Sequence, residues 1–212
     1  AHAHGDHAGT ARAGEAQAPG GQAGDAPAGA PGSPGAVPAH DHEEAAPGDS
    51  HRDTSAATVG AAVLEALAPL YDAYFEVQMA LAGDDLAAAA DAYARAKKTA
   101  GAVDMSLFTG RVHNEWMEIS GAIARHAGAG AGAADIAAAR EVFFHLSRAM
   151  IDLEETIGHA GGDFWLTFCP MARDNTGAFW IQQVDTVYNS FYGHVMLRCG
   201  SIEKRLPPVE HG

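Results

Sequence analysis

The apolar positions of this chain fall into two unlike regions. Residues 1–55 contain no Leu, Ile, Met, Phe, Trp or Tyr and a single Val, Val37, so they offer no face to bury. Ordering a residue costs roughly 1–2 kcal/mol of backbone entropy, and with no burial to offset it this segment is expected to be a disordered tail or linker. From residue 56 onward apolar residues recur with helical spacing. The clearest stripe runs through Ile136, Ala139, Phe143, Leu146, Met150, Leu153 and Ile157, at intervals of three and four. Asp135 can cap its start and Gly158 its end.

Upstream, Leu64, Leu67, Tyr71, Tyr74, Gln78 and Leu81 form a second stripe. Pro69 lies within it and predicts a kink or a fresh helix start, because its ring removes a backbone donor. Gly83 stops that helix, and Asp84-Asp85 caps the next, an Ala-rich run over about 85–101 with Leu86, Tyr93 and a basic Lys97-Lys98 end. A third helix over about 110–126 follows Thr109, with His113, Trp116, Met117, Ser120 and Ile123 on one side, and the Gly/Ala stretch 127–134 ends it. Four amphipathic segments joined by short turns bury their stripes most economically against one another. The expected fold is therefore mainly α, an antiparallel four-helix bundle, with a small irregular or hairpin-containing Cys/Met segment at its C-terminal end.

That last segment breaks the helical pattern. Phe164–Phe168 and Ala178–Ile181 are short aromatic runs separated by Asp174-Asn175-Thr176-Gly177, a turn signal that predicts a hairpin-like piece. One more short helix is expected within Asn189–Arg205, before Pro207-Pro208. The whole of 56–208 reads as one helical domain, following the 1–55 tail rich in His, Ala, Gly and Pro.

Charge narrows the function. Lys and Arg total 13 against 27 Asp and Glu, a formal charge of −14, which argues against a nucleic-acid partner. No apolar run approaches the ~20 residues of a spanning helix, so no transmembrane segment is expected. Without an initiating Met or an apolar leader, the chain reads as a mature product or a piece of something longer.

Sulfur carries the sharpest chemical signal. Cys169-Pro170-Met171 lies in one short segment and Met196-Leu197-Arg198-Cys199-Gly200 in another. In extended chain Cys169 and Met171 share a side, and in a helical turn Met196 and Cys199 share a face, so two pairs of donors can meet. Thiolate with thioether suits Cu(I), and Ag(I) by the same softness, whereas zinc takes thiolates and imidazoles but rarely Met. His194, two residues before Met196, is a further candidate donor. The competing reading is a disulfide between Cys169 and Cys199, which would close the 30-residue loop and stabilise the fold by roughly 3–4 kcal/mol. Spacing leaves both readings open.

Several stretches together carry a likeness: Cys169-Pro170-Met171-Ala172, Asp174-Asn175, Gly177-Ala178-Phe179-Trp180, Asn189-Ser190-Phe191-Tyr192-Gly193 and Met196-Leu197-Arg198-Cys199-Gly200. Upstream it extends to Val103-Asp104-Met105, to His113-Asn114-Glu115-Trp116-Met117, and to Arg140, Phe144 and Leu146-Ser147. Over about residues 60–205 the chain resembles a bacterial domain of unknown function that occurs alone in periplasmic or secreted proteins and at the C-terminus of CusB-type heavy-metal efflux adaptors. The resemblance implies a periplasmic or secreted helical domain handling copper or a related metal, with an efflux or metal-storage protein as partner and a membrane tether ahead of residue 1 left open. Two departures qualify it. Ser190 stands where the family usually has proline after the Asn, and the lipoyl-like and barrel domains of a complete adaptor are absent, which favours a stand-alone metal-binding role.

The other candidates have plainer readings. His113, Met117 and Met105 could add ligands, but a Met/Trp stripe on a helix is what a bundle core requires. Six of the twelve histidines, His2, His4, His7, His40, His42 and His51, are interspersed with acids in the tail and could gather divalent cations loosely. Catalysis is not expected. Glu141/His145 and Glu155/His159 are spaced by four rather than the three of a di-iron motif, and no His-Glu-x-x-His, phosphate loop or nucleophile elbow occurs.

Overall fold

The computed structural model describes residues 60–209. The expected 1–55 tail and its six histidines lie outside the described residues. Four long helices come first: α1 (Ala61–Ala82), α2 (Leu86–Ala102), α3 (Gly110–Ala131) and α4 (Ile136–Thr156). Three strands follow, β1 (Phe164–Cys169), β2 (Ala178–Gln182) and β3 (Ser201–Leu206). The described domain is thus mainly helical, with a small antiparallel sheet ordered β2-β1-β3.

Side-chain capping sets two of the helix starts. Asp85 accepts the Ala88 amide at 2.9 Å, and Asp135 accepts that of Ala138 at 2.8 Å, each satisfying one of the orphan donors of a first turn. Pro69 does not start a new helix; α1 is one element across it. Position 69 faces solvent, so water can hydrate the carbonyl that has lost its helical donor. Similarly, α3 continues past 126 to Ala131, because Ala127 and Gly130 are buried against neighbouring helices. Packing there outweighs the weak propensity of glycine.

The small residues of α2 explain that packing. Ala89, Ala92 and Ala96 are fully buried and let the backbones approach, and Tyr93 on the same helix is fully buried as well. Its hydroxyl donates to the Ala139 carbonyl at 2.8 Å, and a Cβ at Gly130 would lie 2.5 Å from its ring. Because the hydroxyl fixes the ring, it cannot swing aside. We expect Gly130→Ala to lose about 1–2 kcal/mol net, overpacking exceeding the helix-propensity gain, and to lower Tm by roughly 3–6 °C. Gly121→Ala, with nothing within 4 Å of its Cβ, should raise Tm instead.

The sheet packs on α4 and α1 through β2. Tyr74, fully buried on α1, joins the layers: its hydroxyl shares a hydrogen bond with Ser147 of α4 at 3.0 Å and accepts the Ile181 amide of β2 at 3.2 Å. Trp165 pairs with Gln182 and Cys169 with Ala178, so the expected hairpin is present. The short helix expected within Asn189–Arg205 is not. Only a single 3-10 turn, Gly193–Val195, forms there, and Ser201–Leu206 is strand. Glu203-Lys204-Arg205 has good helix propensity, but the free edge of β1 supplies backbone partners that an isolated turn lacks.

Candidate functional site

Cys169 ends β1 and is fully buried, whereas Cys199 is half-buried in the loop before β3. Both are free thiols, with their Sγ atoms 3.8 Å apart. The fold thus brings together two sulfurs separated by 30 residues. Desolvation pushes the Cys199 thiol above its ordinary value, and the hydrogen bond to Cys169 and the charge of Cys169 add to the effect.

Each cysteine segment is held by its own scaffold. After Cys169-Pro170-Met171, three successive residues are left-handed: Arg173 (φ 53°), Asp174 (φ 55°) and Asn175 (φ 65°). Asp and Asn tolerate this conformation, but Arg does not, at roughly 1–2 kcal/mol. Its guanidinium lies 3.7 Å over the Phe144 ring and 3.4 Å from Glu141, and Thr176 Oγ1 donates to its carbonyl at 2.8 Å, so the strained turn is pinned on several sides.

On the other side, buried Asn189 organises the loop. Its Nδ2 donates to the Cys199 carbonyl at 2.7 Å, while its Oδ1 accepts the amides of Phe191 and Tyr192 at 2.8 and 3.1 Å. Ser190 does what proline could not: its hydroxyl donates to the Gln78 carbonyl of α1 at 2.8 Å. The Gln78 side chain in turn donates to the Tyr188 carbonyl at 2.8 Å. The sequence signal for this anchor was a glutamine inside an apolar stripe.

A second clamp ties the loop to the helices. Asp84, left-handed at the turn between α1 and α2, pairs with Arg140 of α4 and accepts from both the His194 amide (2.9 Å) and its Nδ1 (2.7 Å). The His194 amide first, then the Arg140 and His194 side chains, hold the Asp84 carboxyl down at about 2. A carboxylate lowered in the folded state loses its contribution only as pH falls through the lowered value, so this clamp persists throughout the neutral range. Arg140 also donates to the carbonyls of Ser190 and Leu81, both at 2.9 Å. Asp84 and Arg140 carried no functional assignment in the sequence reading.

The remaining sequence candidates divide. Met171 is 43% exposed, and its carbonyl accepts the Tyr192 hydroxyl. Burial, then Cys169, Asp174 and Cys199, raises the Tyr192 hydroxyl above its ordinary value, which puts that group in the field of both sulfurs. Met196 is half-buried, and its carbonyl accepts the Cys199 amide at 3.0 Å. His194 is exposed and engaged through Nδ1 with Asp84. Met105, in the turn before α3, and Met117, in its first half, are exposed, and His113 is half-buried. Among the described residues no three His, Cys, Asp or Glu side chains converge, so an ion at the pair would depend on thioethers or solvent for its other ligands. The spacing of the two thiols fits shared ligation: sulfurs about 2.3 Å from one ion at a tetrahedral angle are about 3.8 Å apart.

Residues 70–162 match the family described as protein of unknown function (DUF3347). That segment runs from within α1 to just before β1, so it includes part of α1, all of α2, α3 and α4, and neither cysteine. No curated protein and no solved structure matches the chain. No helix among the described residues is long and apolar enough to cross a membrane.

Proposed function

We propose that this chain is a soft-metal binding protein whose cargo is Cu(I), held by the thiolates of Cys169 and Cys199 with the thioethers of Met171 and Met196 beside them. The observation that carries the reading is the pair of free sulfurs 3.8 Å apart, delivered by two segments that the fold anchors independently. Thioethers joined to the thiolates favour a polarizable monovalent cation over zinc, and Ag(I) would bind by the same chemistry. His194, its Nδ1 fixed by Asp84, presents Nε2 as a secondary donor. In this reading the four long helices form an antiparallel bundle that serves as a platform. The protein works in the periplasm or outside the cell, passing the ion to an efflux or storage partner; the likeness to the domain of CusB-type adaptors supports that setting.

Metal analysis of anaerobically purified chain, with free thiols counted in the same sample, tests the proposal. One equivalent of Cu(I) should protect both thiols from alkylation. Retention should also fall with pH. Burial raises the Cys199 thiol, which must give up its proton to ligate, so that proton alone weakens the apparent affinity by about tenfold for each pH unit lost below its titration. The same proximity supports a second reading, a structural module closed by a disulfide, since rotation can bring these sulfurs to the roughly 2.05 Å of a bond. A mass deficit of two hydrogens that survives reduction-free copper exposure would favour that module and end the Cu(I) proposal.

A further inference from the structure

A second pair of metal-ligating side chains lies away from the sulfurs. His126 of α3 and His145 of α4 face each other with ring centroids 5.1 Å apart and planes 17° from parallel. His126 is half-buried and His145 exposed, and among the described residues neither imidazole has a hydrogen-bond partner. Their nitrogen lone pairs are therefore free. An ion about 2.0–2.1 Å from one nitrogen of each ring lies about 3.2 Å from each ring centre, so centroids 5.1 Å apart correspond to an angle of about 105° at the ion. The nearly parallel planes need both rings turned about χ2, a broad torsion for histidine. We propose that His126 and His145 form a cross-helix site for a divalent first-row cation that favours imidazole, such as Ni2+, Cu2+ or Zn2+, with water completing its shell.

Burial, His145 and Arg125, in that order, push the His126 imidazole toward its neutral form, which is the ligating one. The charge of Arg125 weighs against the cation and keeps the affinity modest. Nitrogen donors distinguish this site from the sulfur pair, so the chain would take a hard-to-borderline divalent ion at its helices and a soft monovalent one in its C-terminal segment.

The test is thermal unfolding of the full chain with and without Ni2+. Cations bound only by the folded pair should raise Tm by roughly 3–5 °C at about 1 mM Ni2+. His126→Ala and His145→Ala, both at solvent-accessible positions, should each keep their metal-free Tm and lose most of that rise. The histidines before residue 60 and His211 are unchanged in every variant, so their contribution cancels. Cys199→Ser should retain the full rise, which separates this site from the Cu(I) reading. An equal rise in the His126→Ala/His145→Ala double variant, or no rise in the wild-type chain, overturns the proposal.

Discussion

Cys199→Ser should weaken Cu(I) retention by about 100- to 1000-fold while the helical signal stays intact. That magnitude follows from sharing the roughly 10–16 kcal/mol of a four-ligand thiolate site among its donors, about 3–4 kcal/mol each. Position 199 is the better of the two cysteines to change. Cys169 is fully buried at the end of β1, where a serine hydroxyl without a partner would cost about 1–3 kcal/mol of stability as well as a ligand. Met171→Leu should cost less, on the order of tenfold, because a neutral thioether is a weaker donor and position 171 is exposed enough for leucine to be tolerated. Competition against a chromophoric Cu(I) chelator measures both. If both variants hold Cu(I) as tightly as the wild type, the sulfur site does not exist.

The second large effect concerns the clamp rather than the ligands. Gly193 has φ +56°, and a Cβ there would overlap Asp84 Oδ1 and Arg140 Nη2. Gly193→Ala therefore meets two costs: roughly 1–2 kcal/mol for a left-handed alanine, and the displacement of an ion pair that also holds His194 and Ser190. We expect a loss of about 2–4 kcal/mol and a fall in Tm of roughly 5–12 °C. Cu(I) retention should weaken with it, since the displaced loop carries Met196 and Cys199. Gly110→Ala is the control: its φ is +59°, matching Gly193, but nothing lies within 4 Å of its Cβ, so it bears backbone strain alone. A Gly193→Ala chain as stable as Gly110→Ala would show that the Asp84–Arg140 clamp contributes little.

Much of the helical part was legible because its causes are local. The stripe ending in Leu153 and Ile157, and the caps at Asp85 and Asp135, involve residues within a few positions of one another, and each stands where expected. The departures have a common origin. Pro69 is tolerated because of which side of α1 it faces, and Gly130 stays helical because Tyr93 needs the space. β3 is a strand because β1 has a free edge. In each case a partner distant along the chain outweighs a local preference.

The same division applies to the candidate site. Residue types alone determined that soft donors sit at 169, 171, 196 and 199, because the chemistry of sulfur belongs to the side chain wherever it lies. Only the tertiary structure decided that Cys169 and Cys199 come within 3.8 Å, that Asn189 and Gln78 anchor the loop, and that Asp84 and Arg140 grip it. Closing a 30-residue separation to atomic contact depends on how α1, α4 and the sheet pack together, and no local spacing encodes that packing.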